Sequence, residues 1–395
     1  MPLKTLSKFI LIPELKLEYV AKAAQGAMCI LVCSKAPRTE FCPKCATPSG
    51  STYDHREVTI KDAPIHGIMI KLKIRKRRLW CAPCRKPFTE PVPGIRKNFA
   101  HTERYGRALR HACDTYSDLA RVRRDFRCSS GFLYKTYYRH LELRAKRQQY
   151  PWPKVIGIDE HAFKRNKTHG NTEFASLVVD YKNKRVMEVA EGKTQAALEE
   201  QLKHIPGREN VNWVTLDLCD PFKNFAKGFF PNANLVADKF HVIRLLTPAI
   251  LKKRHEITGT RADLRARKLL LMSSKKLGYF ERLTIERYLD QYPELKELYL
   301  AKESLHRLYR TKGYHKAAFA LTRICDAFAL SKIKAIQTLR RTLMKWREEI
   351  LNYFKTGLTN ARVEGYNNVA KLVKKRAYGY RSFKNYRLRL LDVCS

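Results

Sequence analysis

The chain has 395 residues, with 79 Lys plus Arg against 37 Asp plus Glu, so its formal net charge at pH 7 is +42. Self-repulsion on that scale opposes compaction unless a polyanion neutralises it, which makes nucleic acid the expected partner. Because 44% of the residues are hydrophobic and 11% are aromatic, a wholly disordered basic tail is excluded and two or three packed domains are expected.

The sequence lacks the signals of a membrane or secreted protein. No run approaches the roughly 18 apolar residues that span a bilayer, and the opening Met1-Pro2-Leu3-Lys4 stretch lacks the long apolar region of a signal peptide. The eleven cysteines, an odd number partly spaced as Cys-x-x-Cys, suit a reducing compartment and a metal site better than a disulfide framework. We therefore expect a soluble intracellular protein without a membrane partner.

The amino-terminal part is predicted to form two small modules. A cysteine-rich stretch over about residues 26 to 90 predicts short strands, and residues 102 to 147 predict amphipathic helices. The second module ends near Pro151 and Pro153, because two prolines terminate the helical pattern there.

Two cysteine pairs with strand-like sequence between them mark the first module. They are Cys42-Pro43-Lys44-Cys45 and Cys81-Ala82-Pro83-Cys84. Two such turns can place four thiolates around a tetrahedral Zn²⁺, as in a zinc ribbon, and the metal would help to fold a module too small for its own core. The pattern predicts a structural zinc site, and four unrelated thiols are the alternative. His55 and His66 are candidates to replace a ligand, although lone histidines between strands more often lie on the surface.

The second module has the pattern of a helix-turn-helix. Between Arg104 and Arg147 there are twelve basic and four acidic residues. Ser117 is predicted to cap one helix and Ser130 to begin the next, with a short turn at Cys128 and Ser129. In that arrangement the major groove would be met by Lys135, Tyr138 and Arg139, and phosphates by Arg121, Arg123 and Arg124. A helical hairpin with a solvated basic face is the alternative, because helix-turn-helix sequences are degenerate.

The rest of the chain begins with strands and continues as helices. The predicted strands cover residues 155–158, 174–180, 185–189, 211–216 and 234–237, with helices beginning at Thr194 and Pro221. From Leu245 to Phe354 apolar residues repeat at steps of three and four, which predicts an all-helical block with that stripe as its core. A final helix is predicted from Thr359 to about Ala377, with a break at Gly379 and a restart after Ser382.

Three acids occupy positions that a strand or a capped helix would fix. Asp159 follows one predicted strand, Asp217 ends another, and Glu364 lies in the first turn of the last long helix. Acids at the ends of adjacent strands, with a third on a helix across them, would supply hard oxygen ligands for two Mg²⁺ ions. Such a site suits in-line attack on a phosphodiester. Taken singly, an aspartate at the end of a strand is more often a turn former.

The motifs around these acids resemble those of the DDE transposases of bacterial insertion sequences. The matching runs are Gly157-Ile158-Asp159-Glu160, Leu216-Asp217, Ala237-Asp238-Lys239-Phe240-His241-Val242-Ile243 and Asn360-Ala361-Arg362-Val363-Glu364-Gly365-Tyr366-Asn367-Asn368. The sequence is most similar to the group called insertion sequence L-three, over nearly the whole chain. The resemblance implies an RNase H-like α/β core with an all-helical insertion, preceded by a zinc ribbon and a helix-turn-helix domain. It implies that Asp159, Asp217 and Glu364 bind metal, and that Asp238 and His241 arrange DNA or the active site.

The expected domain boundaries follow from the resemblance and the composition together. They are 1–95 for the zinc ribbon, 96–150 for the helix-turn-helix, 151–244 for the first part of the core, 245–356 for the helical insertion and 357–395 for the last part. The expected cofactors are two Mg²⁺ ions, with Mn²⁺ as an alternative, and one structural Zn²⁺.

The last segment adds basic and polar residues beside the third acid. Glu364, Asn368 and Lys371 are spaced at i, i+4 and i+7, so one helical face would present a metal ligand, an amide and a cation to a phosphate backbone. A basic run follows, with Tyr378, Tyr380 and Phe383 interleaved in a mix suited to gripping DNA and stacking on bases. Its predicted DNA contacts are Lys374, Lys375, Arg376 and Arg381. A solvated basic face is the alternative, and strand alternation turns Glu160 away from the acids.

The leading prediction is a transposase that binds the terminal inverted repeats of its element, cleaves at the ends and joins the 3′-hydroxyls to target DNA. The resemblance implies a homodimer or larger assembly on double-stranded DNA, and a bacterial cytoplasmic protein that is nucleoid-associated when bound. A metal-dependent nuclease with the same core is one alternative. A transposase-derived DNA-binding regulator is another, although a binding role alone needs no clustered acids.

Overall fold

The computed structural model describes residues 12, 14–22, 28–116, 118–165, 172–259 and 264–395. These residues form two compact units. One contains residues of 1–144 with 376–379, and the other contains residues of 145–375 with 380–395. Across the ranges that the structure describes, no helix is both long and apolar enough to cross a membrane.

The first unit is built on a β-sheet with one long hairpin. Its strands are β1 (Leu15–Lys22), β2 (Met28–Lys35), β3 (Glu40–Phe41), β4 (Pro48–Ser49), β5 (Thr52–Ile65), β6 (Ile68–Cys81) and β7 (Lys86–Thr89). The main sheet has the order β1-β2-β6-β5 with β7 beside β6, and β3 pairs with β4. The prediction of short strands is wrong for β5 and β6, which have 14 residues each. They pair through a two-residue turn at His66 and Gly67, both with positive φ, which matches the right-handed twist of a hairpin.

Three helices follow this sheet in sequence, and the main segment of the first unit ends within the third of them, at residue 144. They are α1 (Glu103–Thr115), α2 (Leu119–Asp125) and α3 (Ser130–Arg147). The side chain of Asp118 caps α2 by accepting a hydrogen bond from the backbone of Ala120, whereas the expected cap, Ser117, lies outside the described residues. Val122 of α2 and Leu133 of α3 are both buried, and residues 126–129 connect the two helices.

The second unit contains a five-stranded mixed sheet. Its strands are β8 (Val155–Arg165), β9 (Thr172–Asp180), β10 (Arg185–Glu191), β11 (Trp213–Leu216) and β12 (Asn234–Ala237), in the order β10-β9-β8-β11-β12. The first three strands are antiparallel, and β11 is parallel to both β8 and β12. The predicted sequence of three strands followed by alternating helices and strands is confirmed in the described residues.

Helices cover both faces of this sheet. Those before the helical block are α4 (Gln195–Leu202) and α5 (Asp220–Phe229), and those after it are α14 (Ala361–Arg376) and α15 (Phe383–Val393). Ile156 and Ile158 pack into the core on the side of α4 and α5. Leu177 and Val179 pack against α14 and α15 on the other side, where Val363 also lies. Because successive side chains of a strand point to opposite faces of the sheet, each face has its own hydrophobic core.

The helical block lies between β12 and α14 in sequence. It comprises α6 (Lys239–Arg244), α7 (Thr247–Thr258), α8 (Leu264–Leu271), α9 (Tyr279–Asp290), α10 (Pro293–Leu308), α11 (Tyr314–Ala329), α12 (Lys334–Lys345) and α13 (Arg347–Thr356). The predicted stripe is packing core, since Ile336, Leu343 and Ile350 are buried. Asn352 of α13 donates a 2.9 Å hydrogen bond to the carbonyl of Leu235 in β12, so the block is continuous with the sheet.

Candidate active site and zinc centre

The two predicted cysteine pairs come together in the first unit. Cys45 Sγ lies 3.4 Å from Cys81 Sγ, and Cys42 Sγ lies 4.0 Å from Cys84 Sγ. All four sulfurs are within 4.8 Å of one another. Four sulfurs at the usual Zn–S distance of about 2.3 Å are separated by about 3.8 Å in a tetrahedron, so the cluster has the size that a zinc ion requires.

Local backbone geometry explains why the cysteines meet. In each pair the residue after the second cysteine has a positive φ, 57° at Ala46 and 50° at Arg85, which turns the chain back towards the first cysteine. Hydrogen bonds with the side chain and backbone of Thr47 lower the pKa of Cys45 to about 6, which favours the thiolate that metals bind. His55 and His66 belong to no such group in the part of the chain that the structure describes.

Asp159 and Asp217 lie at neighbouring positions on adjacent parallel strands. Leu216 of β11 pairs with Ile158 of β8, so the residue after each is an aspartate at the same level of the sheet. Burial, together with the charge and hydrogen bonding of Asp217, raises the pKa of Asp159 to about 8. Two carboxylates held this close are unfavourable as a pair of anions unless a cation neutralises them.

Two asparagines on or beside α14 hold these carboxylates. Asn367 Nδ2 donates to Asp159 Oδ2 at 2.7 Å, and Asn360 Nδ2 donates to Asp217 Oδ1 at 3.2 Å. Asn360 is itself fixed by Thr215, whose hydroxyl donates to its Oδ1 at 3.0 Å. These amides orient both aspartates, a role that the sequence analysis did not assign. Their spacing of seven residues along one helical face was the signal that could have found them.

Glu364 lies between these asparagines on the same face of α14. It is four residues after Asn360 and three before Asn367, so its Cβ projects towards the side of the helix that reaches the aspartates. The side chain is exposed and forms no ion pair with a described residue. The structure therefore brings Asp159 and Asp217 together, and Glu364 lies on the helix that packs across them. Among the described residues, the Glu364 carboxylate belongs to neither group of potential metal ligands.

Gly157 allows α14 to approach the sheet. A Cβ at this position would lie 2.5 Å from Val363 Cγ2, 2.7 Å from Tyr181 Cε2 and 2.8 Å from Thr215 Oγ1. These contacts are far shorter than van der Waals distance, so only glycine fits between β8 and the helix that carries Glu364.

Asp238 and His241 adjoin Asp217. His241 Nδ1 lies 3.0 Å from Asp217 Oδ1 and 2.9 Å from Asp238 Oδ2, and the three side chains form one potential ligand group. Hydrogen bonds with Asp217 and then Asp238 raise the pKa of His241 to about 10. Burial alone would raise the pKa of Asp238, but its hydrogen bonds from His241 and Asn360 outweigh burial and lower it. At neutral pH the imidazolium therefore offsets part of the carboxylate charge.

A buried histidine forms a hydrogen bond with the amide oxygen of Asn367. His161 Nδ1 lies 2.9 Å from Asn367 Oδ1, and His161 Nε2 lies 2.5 Å from the hydroxyl of Tyr386. Burial lowers the pKa of His161 to about 4, so the ring is neutral. Nδ1–H therefore donates to Asn367, and Nε2 accepts from Tyr386. His161 is two residues after Asp159 on the same face of β8, a spacing from which the sequence could have suggested its part.

The other residues predicted near the acids are placed differently. Asn368 and Lys371 are exposed on α14. Glu160 turns away from the acids as alternation predicted, and its Oε1 lies 3.4 Å from Lys193 Nζ. Lys374 is occupied within the fold, because its ammonium donates to the carbonyl of Ala162 at 2.6 Å.

Part of the carboxyl-terminal basic run is exposed at the surface. Lys375, Arg376 and Arg381 are exposed. The three aromatic rings predicted to stack on bases differ in exposure, with Tyr380 and Phe383 half-buried. Tyr380 and Phe383 pack on the buried ring of Tyr386, whereas Tyr378 is 93% exposed.

The predicted DNA contacts of α2 and α3 are all exposed except one. Arg121, Arg123, Arg124, Lys135 and Arg139 lie on the surface. The prediction for Tyr138 is wrong, because this ring is only 8% exposed and packs between Tyr134 and Tyr137. Tyr134 is the exposed ring of this cluster.

Two sequence models of known families match the regions of the chain that contain these centres. A sequence model described as a transposase of the ISL3 type matches residues 156–390, and one described as the zinc-finger of transposase IS204/IS1001/IS1096/IS1165 matches residues 38–84. The chain is 23% identical to the transposase for insertion sequence element IS1001 of Bordetella parapertussis, over 89% of this chain and 87% of that one.

Two further relatives match over shorter regions. The chain is 24% identical to the transposase for insertion sequence element IS1557 of Mycobacterium tuberculosis, over 58% of this chain and 57% of that one. A match to a Lactococcus lactis protein named ATP-dependent protease has 40% identity but covers only 14% of this chain and 18% of the relative, so it assigns nothing.

Proposed function

The chain belongs to the ISL3 family of DDE transposases, and on that premise we propose the reaction that it performs. The proposed protein binds the terminal inverted repeats of its own insertion sequence, cleaves DNA at the element ends and joins the 3′-hydroxyls to target DNA. The observation that carries this proposal is the pairing of Asp159 and Asp217 on adjacent strands, beneath the helix that carries Glu364.

The fold of the second unit supports an RNase H-like core. Three antiparallel strands are followed by two parallel strands, and β8 and β11, the strands of the two aspartates, are neighbours within the sheet. The helical block enters between β12 and α14, as the family resemblance implies. Asp217 follows the last residue of β11, and Asp159 lies within β8, directly after the point where its parallel pairing with β11 ends.

The donor set fits divalent cations. Asp159, Asp217 and Glu364 would hold two Mg²⁺ ions through carboxylate oxygens, which hard cations prefer. The raised pKa of Asp159 supports this assignment, because burial and Asp217 disfavour its anionic form until positive charge is supplied. When bound, such ions supply Lewis acidity to the attacking and departing oxygens of a phosphodiester.

The chain's own residues orient this site. Asn360 and Asn367 fix the directions of the two aspartates, and His161 fixes Asn367. His241 supplies a positive charge beside Asp217 and is half-exposed, which leaves it accessible to a DNA phosphate. These contacts are made before DNA arrives, so they prearrange the acids for the reaction.

The first unit has features of a DNA-binding module. The family match and the cysteine cluster support a structural Zn²⁺ at Cys42, Cys45, Cys81 and Cys84. We propose that α2 and α3 act as a helix-turn-helix, with Lys135 and Arg139 towards the major groove and Arg121, Arg123 and Arg124 towards phosphates. Binding of two element ends implies a homo-oligomer on DNA, and the function implies a cytoplasmic protein that is nucleoid-associated when bound.

A joining assay tests the proposal. Purified protein is incubated with Mg²⁺, a labelled end-repeat duplex and a plasmid. We expect labelled joined product from the wild type and none from Glu364→Gln, which should still bind the ends. The matched control is Glu348→Gln, an exposed glutamate of α13 that should leave joining unchanged.

Each other outcome of this assay has a meaning. Nicking without joining would identify a nuclease, and binding without either reaction would identify a regulator. Joining that persists in Glu364→Gln would remove Glu364 from the metal site.

A further inference from the structure

The helical block contains a cavity of about 650 Å³ that the proposed chemistry does not use. Its walls come from α6, from the segment that joins α8 to α9, and from the carboxyl-terminal half of α10 with the residues after it. Its volume lies within the range of about 300–1,000 Å³ that is typical of small-ligand sites.

The cavity is lined with unneutralised positive charge. Its cations include Lys239, Arg244, Lys275, Lys276 and Arg310, and none of them forms an ion pair with a described carboxylate. Five such charges around one cavity repel one another, so the arrangement favours an anionic occupant.

Neighbouring buried groups hold the cavity wall in place. The ammonium of Lys302 donates to the carbonyls of Leu270 at 2.8 Å and Met272 at 2.5 Å, and it pairs with Glu303 at 2.9 Å. Ser274 also donates to Glu303, at 2.6 Å. Glu303 is therefore engaged, and the segment that bears the two adjacent lysines is tied to α10.

The cavity adjoins the candidate active site. Lys239 and Phe240 line it, and they stand between Asp238 and His241 in the sequence. The short helix α6 thus contacts Asp217 through His241 and faces the cavity through the two residues before it.

Two aromatic rings complete the lining. Phe240 is 41% exposed, whereas Tyr309 is only 6% exposed, because its ring stacks on Phe354 and lies 5.7 Å from the ammonium of Lys239. A positively charged groove combined with aromatic faces is the chemistry that binds single-stranded DNA, because phosphates meet the cations and unpaired bases stack on the rings.

We propose that this cavity binds an unpaired nucleotide of the DNA strand that passes through the candidate active site. The cations hold its phosphates, and Phe240 stacks on its base. This inference rests on the proposed function and adds to it a site for single-stranded DNA beside the acids. A base that remains paired in a duplex cannot present a face to this ring.

Charge reversal tests the cavity. A fluorescein-labelled twelve-nucleotide oligothymidylate is titrated with full-length protein, and binding is followed by fluorescence anisotropy. We expect Lys275→Glu with Lys276→Glu to weaken binding by at least about tenfold, because the reversal removes two phosphate contacts. The matched control, Lys332→Glu with Lys334→Glu, changes the charge equally at exposed positions of the same block and should bind like the wild type. Equal affinities of the two double variants would overturn the proposal.

Photo-cross-linking tests the aromatic contact on the unmodified protein. An oligonucleotide with 5-iododeoxyuridine is irradiated in the complex, and the linked peptide is identified by mass spectrometry. We expect the link at Phe240, and cross-links confined to other parts of the chain would contradict the assignment. An abasic strand of the same length should bind more weakly than oligothymidylate, and equal affinity would also contradict it.

The joining assay separates failure of this inference from failure of the proposed function. If the wild type joins ends while both double variants bind the single strand equally, only the cavity assignment is wrong. If the wild type neither binds end-repeat DNA nor joins it, the function itself is wrong.

Discussion

Asn367 Nδ2 donates a 2.7 Å hydrogen bond to Asp159 Oδ2 across 208 residues of sequence. The opposite end of the same amide lies 2.9 Å from His161, which in turn contacts Tyr386. One chain of hydrogen bonds therefore runs from α15 through β8 and α14 to a carboxylate of the candidate active site. Groups that orient a metal ligand typically contribute about 10–100-fold to metal affinity or activity.

Asn367→Ala should lower joining activity by about 10–100-fold, because Asp159 loses the donor that orients it. Asn224→Ala is the control, since Asn224 is an exposed asparagine of α5 to which no part in the site is assigned. Rates of joining at saturating DNA compare the two. Equal losses of joining activity in both variants would show that Asn367 does not specifically orient Asp159.

Asp159→Asn should stabilise the metal-free protein by about 1–3 kcal/mol at pH 8. The pKa of Asp159 is raised in the folded state to about 8, so folding favours its protonated form. The stability that this proton confers is complete below pH 4 and is lost as pH rises through 8. The neutral amide avoids that loss, and its advantage should grow between those pH values.

Thermal unfolding without and with Mg²⁺ measures this effect. Mg²⁺ should raise the melting temperature of the wild type more than that of Asp159→Asn, since the variant lacks the anion that the ion would neutralise. Asp326→Asn, an exposed carboxylate of α11, is the control and should show neither change. An Asp159→Asn protein less stable than the wild type at pH 8 would contradict the burial argument.

Gly157→Ala should destabilise the second unit by about 1–3 kcal/mol and impair joining, because the added methyl group meets Val363, Tyr181 and Thr215 at impossible distances. Gly365→Ala is the matched control. It lies within α14, its Cβ would meet nothing within 4 Å, and alanine there should stabilise the helix by about 0.5–1 kcal/mol. Chemical denaturation measures the free energy of unfolding of both variants. An unchanged free energy in Gly157→Ala would show that α14 can move away from the sheet without loss of stability.

Cys81→Ser should abolish binding of one zinc ion per chain, because it removes one of four converging thiolates. Cys29→Ser is the control, since Cys29 lies on β2 outside the cluster and should leave the zinc content unchanged. Metal analysis of reduced protein gives the stoichiometry. Zinc retained in the Cys81→Ser protein would show that another residue completes the site.

Local patterns in the sequence determined much of this protein. The two Cys-x-x-Cys pairs predicted a four-cysteine cluster, because each spacing encodes a tight turn that brings two thiols together. The apolar stripe through Ile336 and Ile350 predicted a helical core, and strand alternation turned Glu160 away from the acids. Each of these features depends on residues near one another in the chain.

Only the tertiary structure decided which distant side chains meet. Asn360 and Asn367 contact the aspartates, whereas Asn368, one residue further along, is exposed, and the rotation of α14 over Gly157 sets that difference. Tyr138 is buried against the rings of Tyr134 and Tyr137, and Lys374 is engaged with the carbonyl of Ala162, although the pattern of charge and spacing had assigned both residues to DNA. The periodicity of a sequence indicates which face of a helix or strand is buried to within about one residue. Which side chains touch depends also on the crossing angle and separation of the two packed elements, and these are set by all the side chains between them.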